Sequence, residues 1–534
     1  MRLRTAVAVA VLFAGVWVPA AGQVACSTLT GVRLSDAVVT AATEVPAGQF
    51  TPPAGGMPGS AMPVPGYCRV QGVARPTGDS EIKFEVWLPA ASGWNGKFQQ
   101  AGNGGYAGSI PASSLADGLK RGFATAGTDD GHAGQSSAFA VGHPEKVTDF
   151  GHRAVHLTAV HARVVVEAFY GKAPRRSYFV GCSDGGREAL MEAQRYPADF
   201  DGIVAGAPAN NWTRLLTSGV WNWKALNETP RSAIPVGKLG LIQRAVASAC
   251  DRLDRVTDLL IEDPSRCRFD PAPLRCSGAD AADCLTSAEL TALQKIYQGP
   301  RNPRTGEQIY SGAVAGAEAV PGNWNVWMVA SQRQPLPLIA WFGTTFYQNM
   351  VFEKPDWDYR TIDFDKDLTA AAAKLAPALD ATDPDLRPFR DRGGKLLQYH
   401  GWGDAAIPAP GSIEYYRQVL AKLGPSVPDF YRLFMVPGMG HCAGGIGPND
   451  FGNAGPGVAA SDPDRDIVAA LDRWVEKGVA PERIIATGIR PGEPIEDPAK
   501  ATKLTRPLCA YPKIARYLGT GSTDDAASFG CRNR

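Results

Sequence analysis

The sequence predicts an α/β protein, a core of alternating strands and helices split by one large insertion. Three observations carry this. SYFVGCSDGGREALMEAQRYP (177–197) runs from an apolar strand through a glycine-flanked turn into helix-forming sequence. The same texture returns at GGKLLQYHGWGD (393–404) and FYRLFMVPGMGHC (430–442). Between them, from about 211 to 390, the chain is rich in Trp, Pro and loops, with four cysteines between 250 and 284. An inserted lid explains this interruption better than two sequential domains. The expected organisation is a signal peptide at 1–22, a first part of the core at 23–210, a lid at 211–390 and a second part of the core at 391–534.

The N-terminus has a basic start (Arg2, Arg4), an apolar run (6–18) and then small residues up to Gly22. This is the three-part secretory pattern, with cleavage near Gly22. The alternative is a membrane anchor, for which the run is short. No later stretch is apolar and long enough to cross a bilayer, so a secreted or periplasmic protein without membrane contact after cleavage is expected. With 534 residues, 44% hydrophobic, the chain can bury a large core. Lys and Arg number 54 against 53 Asp and Glu. With charges so balanced and no basic stripe, nucleic acid is not an expected partner.

Residues 45–66, rich in Pro, Gly and Met, read as an extended surface segment. EIKFEVWLP (81–89) alternates like a strand, and KFQQAGNGGYAG passes from a strand into a glycine-rich loop. In 150–170, Val155, Val160, Val164 and Phe169 have helical spacing. FDGIVAGAP (200–208) reads as a buried strand, and the segment carrying Cys509 and Cys531 as an irregular tail. The ten cysteines, Cys26, Cys68, Cys182, Cys250, Cys267, Cys276, Cys284, Cys442, Cys509 and Cys531, form an even set. In an exported chain they suggest disulfides of undetermined pairing, and no C-x₂-C spacing favours zinc.

Gly181-Cys182-Ser183-Asp184-Gly185 is a G-x-S-x-G pattern between strand and helix, the context of a nucleophile elbow. Ser183 is the candidate nucleophile, and it needs a base. His441, in a glycine-rich loop after LFMV, is the best candidate. Asp404, at the end of KLLQYHGWGD, is the candidate orienting acid. The order Ser, Asp, His is that of α/β-hydrolases. His400 competes with His441 but precedes the acid; His132 reads as a loop-fixing residue. An oxyanion site would take one N–H from Asp184 and another from Gly102-Asn103-Gly104-Gly105, unless GNGG is only a tight turn. In CDRLDRVTDLLIED, Asp251, Asp254 and Asp258 fit either one solvated helix face or a hard cation such as calcium.

These residues resemble the tannase and feruloyl esterase family, which includes mono(2-hydroxyethyl) terephthalate hydrolase. WNGKFQQAGNGG, GCSDGGREALMEAQRYPADFDGIVAGAP, ACDRLDRVTDLLIEDPSRC, FRDRGGKLLQYHGWGDAAIP, VPGMGHCAGG and TRPLCAYPKIARY carry the resemblance over nearly the whole mature chain. It implies an α/β-hydrolase core with a lid and hydrolysis of aromatic-acid esters through an acyl-enzyme. It places the second oxyanion donor at Gly105. It implies a disulfide between Cys182 and Cys442, beside the candidate nucleophile and base, and the pairs Cys26–Cys68, Cys250–Cys267, Cys276–Cys284 and Cys509–Cys531. It also implies a structural calcium held by Asp251, Asp254, Asp258 and the carbonyls of Val256 and Leu260.

The expected partner is a small aromatic ester, most simply a feruloyl ester, with gallate or terephthalate esters as alternatives. Trp324, Trp327, Trp341, Phe342, Phe346 and Tyr347 fit either a ring-binding slot or the lid's own core. Arg333 lies in the region where the terephthalate enzyme uses an arginine, and Ile407 stands where that enzyme has an aromatic residue. A catalytically dead, calcium-stabilised binding protein is the alternative from another class.

Overall fold

Nine strands form the central sheet: β1 (Ala37–Val45), β2 (Tyr67–Ala74), β3 (Ile82–Pro89), β4 (Phe98–Ala101), β5 (Ala124–Thr128), β6 (Ser177–Cys182), β7 (Gly202–Gly206), β8 (Lys395–Gly401) and β9 (Tyr431–Val436). Their order is β1-β2-β3-β5-β4-β6-β7-β8-β9. Pairs from β1 to β5 are antiparallel, and those from β5 to β9 are parallel. This computed structural model describes residues 22–51, 61–454, 461–492 and 501–534. Residues 1–21 of the expected signal peptide lie outside them. So do residues 52–60 of the Pro-, Gly- and Met-rich segment, whose flanks pair as short strands (Gly48–Phe50 with Met62–Val64).

Period-two alternation of side chains explains why the parallel strands are apolar throughout. Phe179, Ile203, Leu396 and Leu433 point to one face, and Tyr178, Val204, Leu397 and Phe434 to the other. The first face is covered by α1 (Ala154–Tyr170), α2 (Asp184–Arg195) and α5 (Pro410–Leu423), the second by α6 (Ile467–Lys477). Strand β3 departs from the half-exposed strand that its alternation suggests. It is nearly all buried, because β2 and β5 flank it and both its faces are covered. Its Glu85 is held there by Arg69, Gln71 and the Trp87 indole.

Helix α1 also corrects the expected stripe. Val164 is 40% exposed, and the buried face is Val155, Thr158, Ala159, Ala162, Val165, Val166 and Phe169. A spacing of five, four and five residues drifts off one face, whereas three and four hold it.

Residues 207–394 enter and leave the sheet between the adjacent strands β7 and β8, and add no strand to it. They include α3 (Trp212–Leu226) and α4 (Leu338–Thr345). Trp212, Leu216 and Val220 of α3 pack with Phe346, Tyr347, Tyr106 and Phe150, so this region shares apolar packing with loops of the core. The C-terminal segment is not an irregular tail. Lys503–Cys509 pairs with Arg483–Ile489, and Lys513–Tyr517 with Phe529–Asn533. Arg506 is buried there beneath the Phe529 ring, with its guanidinium on Asp258 at 2.6 Å.

Candidate active site

The chain turns sharply at Ser183, between β6 and α2, with φ 68° and ψ −119°. A serine in this region is strained, and packing must hold it. A Cβ on Gly181 would stand 2.4 Å from the Gly185 carbonyl oxygen, and one on Gly186 would stand 2.2 Å from that of Gly206. Only glycine lets strand, turn and helix approach so closely. The Ser183 N–H donates to Gly206 O at 3.0 Å, and its carbonyl accepts from Ala209 N at 3.0 Å.

His441 lies in the loop after β9. Its Nε2 is 2.9 Å from Ser183 Oγ, and its Nδ1 is 2.8 Å from Asp404 Oδ2. The geometry fits the tautomer in which Nδ1–H donates to the carboxylate and Nε2 accepts the serine proton. Asp404 is buried, and its Oδ1 accepts the N–H groups of Ala406 (2.8 Å) and Ile407 (2.9 Å). Burial opposes its ionisation. Attraction to His441 and hydrogen bonds from His400 and His441 outweigh burial, holding its pKa well below the ordinary carboxylate value. Cys182 and Cys442, the neighbours of Ser183 and His441, are bonded to each other.

His400 is not the base. Its Nε2 faces Ile407 O at 2.9 Å and Asp404 Oδ2 at 3.3 Å, and its Nδ1 faces Ser412 Oγ at 2.7 Å. It braces the acid from behind. No motif or spacing singles out Asn323. This buried residue donates to Gly403 O at 2.8 Å and accepts from Ala405 N at 3.2 Å, clasping the backbone on both sides of Asp404. His132 does fix a loop, through Tyr106 O at 2.6 Å.

Neither the Asp184 nor the Gly105 N–H finds an acceptor among the described residues. Gly105 has φ 64°, and a Cβ there would come within 3.3 Å of the Phe342 ring. Two aromatic side chains reach this place. Trp327 packs edge-to-face on the His441 imidazole, with centroids 4.9 Å apart, and lies nearly parallel to Phe342 at 6.4 Å. Trp324, Phe346 and Tyr347 are buried in apolar clusters, and Trp341 packs on Tyr106. Ile407 is buried and Arg333 is exposed.

All ten cysteines are paired: Cys26–Cys68, Cys182–Cys442, Cys250–Cys267, Cys276–Cys284 and Cys509–Cys531. The aspartates of 251–258 do not form a solvated helix face. The 3₁₀ turn Asp251–Asp254 ends at Arg255 with φ 74°, and Asp251 is buried. Instead the loop folds on itself. Asp254 accepts from Val256 N at 2.9 Å, Asp258 from Leu260 N at 3.1 Å and Asp251 from Asp258 N at 3.3 Å. Among the described residues, the acidic oxygens that converge within 4.8 Å belong to Asp130, Asp184 and Glu188, not to this loop. Yet the loop suits a hard cation in chemistry: Val256 and Leu260 are buried residues whose carbonyls accept no hydrogen bond among the described residues. Asp254, Asp258 and Glu262 also crowd around Arg506.

The mixed sheet with its parallel half, the strained serine at the carboxyl edge of that half and the inserted region between adjacent strands define an α/β-hydrolase. The model for "Tannase and feruloyl esterase" matches residues 68–532. The chain belongs to that family and is a carboxylic ester hydrolase. It is 42% identical to an uncharacterized esterase of Xanthomonas campestris pv. campestris, over 99% of this chain and 94% of that protein. It is 33% identical to the mono(2-hydroxyethyl) terephthalate hydrolase of Piscinibacter sakaiensis, over 96% and 92%. The crystal structure of feruloyl esterase B from Aspergillus oryzae superimposes with a TM-score of 0.85 at 30% identity, covering 95% of this chain and 99% of that one.

The Cys182–Cys442 bond spans 260 residues. Chain-entropy reasoning gives such a link on the order of 5 kcal/mol. Replacing both cysteines with alanine is expected to lower the denaturation midpoint. Measured well below that midpoint, kcat is expected to fall by roughly a hundredfold if Ser183 and His441 act together, because a displacement near 1 Å between reacting groups costs about that much.

Proposed function

We propose that the protein is an exported serine esterase that cleaves esters of aromatic acids through an acyl-enzyme, with feruloyl esters as its preferred class. The observation that carries this reading is the relay from Ser183 Oγ to His441 Nε2 (2.9 Å) and on from His441 Nδ1 to Asp404 (2.8 Å), with the Trp327 ring against the imidazole and the Phe342 ring next to it. Ser183 Oγ attacks the ester carbonyl while His441 takes its proton, and Asp404 stabilises the imidazolium. The N–H groups of Gly105 and Asp184 receive the oxyanion, each such donor contributing about 3 kcal/mol. His441 returns the proton to the departing alcohol, then activates a water that releases the acid and restores Ser183. Trp327 and Phe342 put aromatic surface beside the relay, where an aryl acyl group gains a ring contact that an aliphatic one does not.

Export is supported by the N-terminal signal pattern together with five disulfides. Among the described residues no helix is long and apolar enough to cross a membrane. Calcium would be held by Asp251, Asp254, Asp258 and the carbonyls of Val256 and Leu260. It would tie this loop against the C-terminal strands, where Val256 packs with Cys509, Ala515 and Phe529. Its contribution would be to stability rather than to the reaction.

A hydrolysis panel of methyl ferulate, methyl gallate and mono(2-hydroxyethyl) terephthalate tests the substrate class. The feruloyl ester is expected to show the highest kcat/KM. Preference for an aliphatic ester would overturn the aromatic assignment. Ser183→Ala is expected to reduce kcat by about four orders of magnitude or more without moving the melting temperature downward. Phe342→Ala is expected to narrow the ratio of aromatic to aliphatic kcat/KM by about tenfold.

A chelator is expected to lower the melting temperature of the wild type, since a ligand of the native state alone stabilises it by mass action. Asp254→Ala should melt lower and no longer respond to the chelator. An unchanged wild-type curve, with no calcium found by elemental analysis, would dismiss the ion.

A further inference from the structure

Behind the oxyanion loop lies a buried group of acids that the reaction above does not use. Glu188, on α2 one turn past Ser183, is 1% exposed, and Asp130, just after β5, is 0% exposed. Glu188 Oε2 accepts the Asn103 N–H at 3.0 Å, and the Asn103 carbonyl accepts the Gly185 N–H at 2.9 Å. Both backbone groups of Asn103 are thus tied to α2, two residues before Gly105. Glu188 Oε1 and both oxygens of Asp130 have no hydrogen-bond donor among the described residues.

The charges facing this pair come from Asp184, Arg187 and the buried Glu192, all on α2. Arg187 is committed elsewhere: its Nε lies on Asp184 Oδ1 at 2.5 Å, and its other nitrogens donate to Gly151 O (2.6 Å) and Phe150 O (3.0 Å). Two full negative charges side by side in a dry interior would repel strongly and lack solvation. One proton held between Asp130 and Glu188 removes one charge and gives an orphan oxygen a partner.

We propose that Asp130 and Glu188 form a one-proton carboxyl pair that positions the oxyanion loop. Glu188 is the ionised acceptor of the Asn103 N–H, and Asp130 is the neutral acid that donates to Glu188. Both are positioning residues, acting on substrate through Asn103 and Gly105. Burial supports this, first by raising both carboxyls, Glu188 to about 7, and the charge of Glu188 then raises Asp130 further. A proton bound above the unfolded-state pKa stabilises the arrangement at low pH, and that contribution is lost as pH rises through the pair's upper ionisation. The oxyanion loop should then slacken on the alkaline side.

The inference rests on the serine-esterase reading, and Ser183→Ala in the same assay separates the two. If that variant keeps its turnover, the mechanism fails; if it is inactive, the variants below judge the pair alone. Glu188→Leu removes the acceptor and is expected to lower kcat by about a hundredfold with KM little changed. Binding of an aryl boronic acid, whose tetrahedral adduct fills the oxyanion site, should weaken in parallel. Glu188→Gln keeps an acceptor for Asn103 and offers a donor to Asp130, and is expected to restore most of the loss. Asp130→Asn supplies a donor that cannot ionise, so the alkaline limb of the kcat profile should move up or vanish. If Glu188→Leu does not fold, the alkaline limb of Asp130→Asn decides the matter. An unmoved limb, a folded Glu188→Leu with wild-type kcat and boronate affinity, or a stoichiometric metal ion bound to the wild type and absent from Asp130→Asn would overturn the proposal.

Discussion

The structure turns on one hydrogen bond, between Ser183 Oγ and His441 Nε2, whose residues stand 258 apart in sequence. Such a contact is made only if two distant loops are held to within a fraction of an ångström, and several costly features serve that end. The serine occupies a strained backbone conformation against which strand, helix and the Gly206 carbonyl are packed. The Cys182–Cys442 bond joins the two segments at the positions next to Ser183 and His441, so neither can drift without the other. The acid is fixed from three directions, by the N–H groups of Ala406 and Ile407, by His400 and by the Asn323 clasp.

Asn323 shows that the inserted region is more than a cover. Its clasp on the Asp404 loop and the contact of Trp327 with His441 and Phe342 bring the insertion against the relay, where under the proposed function it would bear on both alignment and the choice of acyl group. The opposite wall is built from the core. The oxyanion loop is tied to α2 through Asn103, so the proposed nucleophile and the proposed donors share one rigid support. Preorganised donors need no rearrangement as charge develops, and that is where electrostatic stabilisation is most effective.

Much of this was legible in the sequence because the constraints are local. Glycines around Ser183 announce a turn that no other residue permits, and strand texture before Asp404 and His441 places both at the same edge of the sheet. What was not legible depends on partners distant in sequence. The C-terminal strands read as irregular because Arg506 interrupts their apolar pattern, and its burial is made tolerable by distant partners, chiefly Asp258 and the Phe529 ring with Glu262 nearby. A stripe read from the apolar side chains of α1 alone takes in Val164, which faces solvent, whereas the buried face also uses Thr158 and small alanines. Nothing in the spacing of the helix singles out Glu188. Its burial follows from the close approach of the Asn103 loop and Asp130, which no spacing within the helix reveals.

The central claim is that Ser183 carries the acyl group during turnover. Its most direct test is rapid mixing with an activated feruloyl ester, acid quench and peptide mapping of the trapped protein. The account predicts a burst of released alcohol equal to the enzyme concentration, and a feruloyl adduct on the peptide containing Ser183, absent from Ser183→Ala. Steady turnover with no adduct there, or with an adduct on a different residue, would contradict it.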